Sequence, residues 1–184
     1  EWTEDNCIFR SIVVTKDFYP VSLSYKKFEN YGFKTNLGEP PDDLIGCTAV
    51  TKLDGSTLII SLYKHKLIFR TRCALNARLL YTGAEIADFE KEYSELIQYL
   101  YSEADDQGTA PISLVAEWYS PLNIIVLDYG KEAYLWLTNV IEHDDYSYWS
   151  QRGVDALARN YGADRPETLC FDDLKSVIST VKAL

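Results

Sequence analysis

The chain has 184 residues, enough for one large domain or a domain and a half around a sizeable core. Its 47% apolar and 14% aromatic content, with 14 Tyr and 4 Trp, is that of a packed protein and excludes a disordered tail. A net charge of −10, from 28 acidic against 18 basic residues, argues against a general nucleic-acid coat, although a local basic cleft suffices for binding. The basic residues are uneven: Lys64, Lys66, Arg70, Arg72 and Arg78 crowd one span, and acids dominate after Glu85. Cys7, Cys47, Cys73 and Cys170 are widely spaced without a Cys-x-x-Cys pair, which favours reduced thiols of an intracellular protein (cytoplasmic or nuclear) over a zinc site or disulfide framework. No apolar run approaches the roughly 18 residues of a membrane span, so no membrane partner and no signal peptide are expected. The chain has no Met and begins at Glu1, from which a trimmed or processed fragment is expected.

In chain order, "CIFRSIVVTKDFYPVSLSY" (7–25) predicts two short strands broken at Tyr19-Pro20, followed by a Gly/Pro/Asn-rich loop over 26–43. Strands over 46–52, 57–63 and 67–72, with turns at Asp54-Gly55 and Lys64-His65, predict an antiparallel meander. Ile86, Phe89, Tyr93, Leu96, Ile97 and Leu100 fall at helical spacing, predicting one amphipathic helix over 83–104. Three strands follow over 111–120, 123–130 and 133–142, and the last forty residues read as helical, with breaks at Gly153, Gly162 and Pro166. The fold class is therefore α+β: antiparallel sheets with inserted and C-terminal helices, a core over 1–147 and a helical segment over 148–184.

Lys52, two residues before Asp54-Gly55 in "TKLDGS", has two readings. It is an ordinary hairpin lysine, or an amine aimed into a pocket, where burial or a nearby cation deprotonates part of it for nucleophilic attack. Attack on a phosphate also needs flanking cations, a metal to neutralise developing charge, and carboxylates to hold the metal or the sugar. Arg10, Lys27, Arg70 and Arg72 are candidate cations, and Glu117 is a carboxylate in the apolar strand "LVAEWYS", costly to bury without a partner. Each has a plainer alternative. Arg70 and Arg72, with Lys64 and Lys66, could be a solvated strand face, Glu117 the outer face of an edge strand, and Tyr129 a core residue. His65 in a turn and His143 in the acidic loop "EHDDYSYW" do not read as catalytic.

The Lys-x-Asp-Gly of "TKLDGS" resembles the nucleotidyl-accepting motif of the covalent nucleotidyltransferases, which include DNA ligases, RNA ligases and mRNA capping enzymes. Order and spacing narrow the resemblance to ATP-dependent RNA ligases of the bacteriophage RNA ligase 1 type. "IFRSIVV" and "SLSYKKFENYGF" resemble the arginine strand and Lys-Phe-x-Asn segment before the nucleophile. "KLIFRTR" resembles the basic strand after it, and "SLVAEWYSPLNIIVLDYGKEAYLWLTNV" the next two motifs. This resemblance, from Arg10 to Val140, implies a nucleotidyltransferase (ATP-grasp-like ligase adenylation) domain using ATP and magnesium on RNA ends. It implies that Lys52 attacks the α-phosphate of ATP to form lysyl-AMP, while Arg10 and Lys27 hold phosphates or pyrophosphate. Phe28 and Asn30 would line the nucleotide side of the pocket, Gly55 would let the backbone pass close to the nucleotide, and Arg72 would contact phosphate or ribose. Glu117 would bind the ribose or a metal-bound water, and Tyr129 would wall the adenine. AMP transfer to a 5′-phosphate end and attack by a 3′-hydroxyl would follow, in RNA repair or tRNA processing. The chain departs from the family at Glu29, where a second aromatic is usual, and at Arg72-Cys73, where Lys-Gly is common. It also lacks the Glu-Gly and Lys-x-Lys strands that follow in the family, so a further C-terminal domain or chain, and an incomplete catalyst, are expected. The competing readings are a tRNA-splicing ligase, a capping-type guanylyltransferase, and a non-enzymatic acidic protein-binding module.

Overall fold

The computed structural model describes residues 2–30, 48–170 and 174–183. A 3₁₀ turn over Cys7–Arg10 leads into β1 (Ile12–Val14) and β2 (Pro20–Leu23), which pair antiparallel with a bulge between Val13 and Val14. Arg10 thus ends a 3₁₀ turn, one residue short of the expected arginine strand. Most of the loop expected over 26–43, together with Gly46 and Cys47, lies outside the described residues.

The meander expected around Asp54-Gly55 is not formed. β3 (Thr48–Val50) pairs with none of its sequence neighbours, and β4 (Ser56–Tyr63) pairs instead with β5 (Lys66–Thr71) and β6 (Ile112–Tyr119). Asp54-Gly55 is therefore the end of a connecting loop, and an Asp-Gly signal that reads locally as a hairpin is overridden by tertiary pairing. The β4–β5 turn is a true hairpin. Lys64 (φ 48°) and His65 (φ 62°) both take the left-handed conformation that matches the twist of the flanking strands.

The expected single helix is two, α1 (Glu85–Glu92) and α2 (Ser94–Ser102), separated at Tyr93 (φ −101°, ψ 31°). The Tyr93 hydroxyl reaches both the Leu135 carbonyl and Asp164 at 3.1 Å. The strand expected over 123–130 is an irregular exposed connection, and β6 runs directly into β7 (Tyr134–Glu142) as its sheet neighbour. The apolar run Ile124–Leu127 is strand-like in composition but stays at least 46% exposed. The C-terminal stretch is only partly helical. Between α3 (Gln151–Asn160) and α4 (Leu174–Ala183) lies β8 (Thr168–Cys170), the antiparallel partner of β3.

The main sheet has the order β5-β4-β6-β7. Strict alternation sorts its two faces. Leu58, Ile60, Leu114, Ala116, Trp118 and Leu137 point one way into a core shared with residues of α1, α2 and α3. The other face carries Thr57, Glu117 and Trp136 in one cross-strand row, and Ile59, Arg70 and Val115 in the next. The β1–β2 hairpin lies on this second face, where Leu23 packs with Val115 and Ile141 and its amide donates to Ser113 Oγ at 3.0 Å. Beneath the hairpin runs a buried polar chain. Ser61 Oγ donates to Ser22 Oγ (2.8 Å) and sits 2.9 Å from Ser113 Oγ, which in turn sits 2.8 Å from His143 Nε2. His143, read from the sequence as part of an acidic loop, is thus buried; desolvation lowers its pKa to about 4, leaving a neutral ring at ordinary pH. Among the described residues no helix is long and apolar enough to cross a membrane.

Candidate active site

The loop between β3 and β4 carries Lys52 as an exposed side chain and is anchored by the next polar residue. Asp54 Oδ2 accepts the Val126 and Leu127 amides at 2.6 and 2.8 Å, and the Asp54 amide donates to the Tyr129 hydroxyl at 3.0 Å. Those bonds, the Leu127 amide foremost, hold the Asp54 carboxyl below its usual range, aided by the Lys52 charge. One aspartate therefore ties the Lys52 loop to the β6–β7 connection, a role no local pattern revealed although the residue sits inside the Lys-x-Asp-Gly motif.

Gly55 follows immediately. A β-carbon there would stand 2.5 Å from the Trp118 carbonyl oxygen and 3.3 Å from Glu117 Cγ. The position needs glycine because the loop crosses β6 at close range, a contact with the chain's own backbone. The crossing sets Glu117 beside the loop. Burial pushes the Glu117 carboxyl up to about 7, against the opposing pull of Lys52 and of a backbone hydrogen bond from Gly55, and with a further push from Asp54. Glu117 is neither an edge residue nor fully solvated: β6 is interior to the sheet, and the carboxylate is within the electrostatic field of the Lys52 amine.

Aromatic rings floor this corner. Tyr134 stacks beside Trp136 (5.4 Å, 22°) and Tyr119 (6.1 Å, 27°). Tyr129 meets Tyr119 and Trp136 edge-on at 5.0 and 5.3 Å. Trp136, directly opposite Glu117 in the β6–β7 register, is a site residue that sequence reasoning missed; strand alternation around Glu117 is the signal that could have found it.

The remaining expected residues form a second group at the hairpin side. The Arg10 guanidinium lies 4.7 Å over the Phe28 ring, a cation–π contact, and its pKa is lowered by burial and then by the Arg72 charge. Arg72 is exposed, one residue beyond β5. Phe28 and Asn30 are exposed as well. Lys27 is less free than the sequence suggests: Nζ pairs with Glu29 at 2.7 Å and donates to the Phe28 carbonyl at 2.8 Å. Arg70 belongs to neither a phosphate site nor a solvated face. It is 2% exposed, and its five hydrogen bonds go to Ser11, Ser22 and Thr71. The side chains of Lys64, Lys66 and His65 are exposed at the hairpin tip.

Tyr25 joins the two groups. Its ring meets Phe28 and Tyr148 edge-on at 6.4 and 5.7 Å, it lies in the field of Glu117, and its hydroxyl donates to Thr138 Oγ1 at 2.9 Å. Thr138 is the extra residue of a bulge in β7, and Arg165 braces that bulge through the Leu137 and Thr138 carbonyls at 2.8 and 3.0 Å. A bulge beside a site is a common way of re-aiming one side chain.

The arrangement offers an amine in the field of a carboxylate of near-neutral pKa, an aromatic floor and, on the hairpin side, two arginines in each other's field. Among the described residues no group of three or more His, Cys, Asp and Glu side chains is placed to enclose a metal.

Solved structures similar to this chain include an archaeal ATP-dependent RNA ligase (13% identity, TM-score 0.56, covering 74% of this chain and 36% of that one). A Naegleria gruberi RNA ligase variant with ATP and manganese gives 15% identity and a TM-score of 0.54, covering 72% of this chain and 39% of that one. A protein of Aquifex aeolicus assigned to the ATP-dependent DNA ligases gives 17% and 0.51, covering 74% and 36%. The chain thus shares its fold with these proteins and spans little more than a third of their lengths. No curated protein sequence matches it. An RNA ligase family model matches residues 9–184, nearly the whole chain, and with Lys52, Gly55 and Glu117 assembled at one corner of the sheet this chain belongs to the RNA ligase family.

Proposed function

We propose that this chain is the nucleotidyltransferase part of an ATP-dependent RNA ligase, with Lys52 as the nucleophile. The observation that carries the reading is the placement of the Lys52 loop: Asp54 and Gly55 bring it against Glu117 and the Trp136–Tyr129 aromatic corner. The Lys52 amine, once deprotonated, attacks the α-phosphorus of ATP. The N–P bond forms as the bond to the bridging oxygen breaks, pyrophosphate leaves, and the amine's proton passes to solvent or to a neighbouring base. The lysyl-AMP phosphorus is then attacked by the 5′-phosphate of an RNA end, which frees Lys52. A 3′-hydroxyl next attacks that activated phosphate and releases AMP. Each step is phosphoryl transfer, where positioning and charge stabilisation supply most of the acceleration.

Arg10 and Arg72 suit the phosphates, and the flat Trp136 and edge-on Tyr129 suit a base. Glu117, near-neutral in pKa, suits a ribose hydroxyl or a water on magnesium. Magnesium binds through one or two carboxylates plus substrate phosphates rather than an all-protein cage, so a single free carboxylate fits it. When bound, the metal neutralises charge developing on the phosphates.

Incubation with labelled ATP and magnesium, beside a longer form of the protein carrying any missing motifs, tests this. The reading expects a protein-bound label that pyrophosphate removes and that Lys52→Ala abolishes. A label from GTP alone would mark a capping-type enzyme, and no label from either nucleotide on the longer form refutes the ligase assignment.

A further inference from the structure

Arg70 heads the largest fully buried side chains, and among the described residues no carboxylate accepts from it. Its guanidinium is spent on neutral oxygens. Nε donates to Ser22 Oγ (2.7 Å), Nη1 to Ser11 Oγ (2.9 Å) and the Thr71 carbonyl (3.3 Å), and Nη2 to the Ser11 and Ser22 carbonyls (3.0 and 2.9 Å). A buried cation without a counter-ion is costly, and burial lowers its pKa to about 10. The residues it grips are informative. Ser11 directly follows Arg10, and Thr71 directly precedes Arg72.

Arg10 and Arg72 lie close enough to depress the ionisation of Arg10, and no ion pair among the described residues includes either of them. The carboxylate that acts on Arg10 is Glu29, which is already engaged by Lys27 at 2.7 Å. In a chain of net charge −10, two arginines within each other's field and outside any ion pair among the described residues make a place that an anion would relieve. Arg10 comes from the β1–β2 side and Arg72 from the end of β5, so their separation depends on how the hairpin is fastened to the sheet. The planar fork of Arg70 is the fastening that reaches Ser11, next to Arg10, while Leu23 and Ser22 hold the other strand of the hairpin.

We propose that Arg70 is a positioning residue that, by gripping Ser11 and Thr71, holds Arg10 and Arg72 at a fixed spacing as a preformed receptor for a pyrophosphate-like group. It touches no substrate itself. The identity of the anion as part of a nucleotide rests on the ligase reading; the receptor does not.

The test is calorimetric binding of inorganic pyrophosphate to the 184-residue chain, in parallel with urea unfolding. Arg70→Lys keeps the charge and loses the fork. It should weaken binding about fivefold or more, a normal coupling for directly linked groups, and cost no further affinity once Arg72→Ala is present. A lowered unfolding midpoint with unchanged affinity, or independent multiplying losses, overturns the proposal, as does a wild-type chain that does not bind pyrophosphate. If Arg70→Lys does not fold, Ser11→Ala removes one grip alone and should show a smaller loss with the same dependence on Arg72; unchanged affinity there also overturns it. An Arg70 effect on pyrophosphate in a protein that never takes label from ATP would sink the ligase reading and leave this one standing.

Discussion

Replacing Glu117 with Gln removes an ionisable group whose environment opposes its charge. In the folded chain the carboxyl is raised from 4.5 to about 7, chiefly by burial. The folded state therefore binds the proton more tightly than the unfolded chain does. Below pH 4.5 both states are protonated and the group contributes nothing. Between 4.5 and 7 the unfolded chain ionises first, so stability falls as pH rises, and above 7 the penalty is complete. At ~1.4 kcal/mol per pH unit the full penalty is about 3 kcal/mol, an upper bound because the side chain keeps some contact with water. Urea unfolding of both proteins from pH 5 to 8 isolates this, since every other titrating group cancels in the difference. Glu117→Gln should gain on the wild type up to about pH 7 and level off above it, and on the proposed reading it should also lose lysyl-AMP formation. A stability difference that does not change with pH would refute the burial argument, and with it the picture of a carboxylate held ready beside Lys52. Lys52→Ala should extend the pH-dependent range to higher pH, because the amine's attraction is what restrains the shift.

Gly55→Ala places a methyl 2.5 Å from a main-chain oxygen that cannot swing away. The expected cost is about 1–3 kcal/mol or more in denaturant unfolding, with adenylylation lost in the protein that remains folded. Trp136→Ala should weaken ATP binding by an amount typical of one base–aromatic contact, about 1–3 kcal/mol, with label recovered at saturating ATP. His143 is lowered from 6.5 to about 4, so the folded chain binds fewer protons there. Its contribution is present above 6.5 and drains away as pH falls through 4, and its ring resonances should remain those of the neutral form down to about pH 5. His143→Gln should flatten that acid limb of the stability curve.

The elements whose signals are local were legible in the sequence: the β4–β5 hairpin, β6, β7 and the apolar stripe of α1 and α2. Those decided by distant partners were not. Asp54-Gly55 has hairpin chemistry, but β4 finds β6 beyond α1 and α2, and β3 finds β8 beyond α3. Ile124–Leu127 has strand composition, yet its amides at Val126 and Leu127 are taken by Asp54 rather than by a neighbouring strand. Asp54 and Gly55 set the Lys52 loop beside Tyr129 and Glu117, stretches that stand far apart in the sequence. Arg70 was misjudged because charge in a strand reads as solvent-facing, and nothing in the sequence shows that Ser11 and Ser22 wait for it beneath a hairpin. Trp136 was passed over because cross-strand register is invisible before pairing is known.

The pairing of β3 with β8 splices the segment just upstream of Lys52 to residues 168–170. The Lys52 loop is thus tethered on both sides to stretches remote in sequence, to β8 on one and through Asp54 to the β6–β7 connection on the other. A substitution in either tether should be felt at Lys52 without touching it.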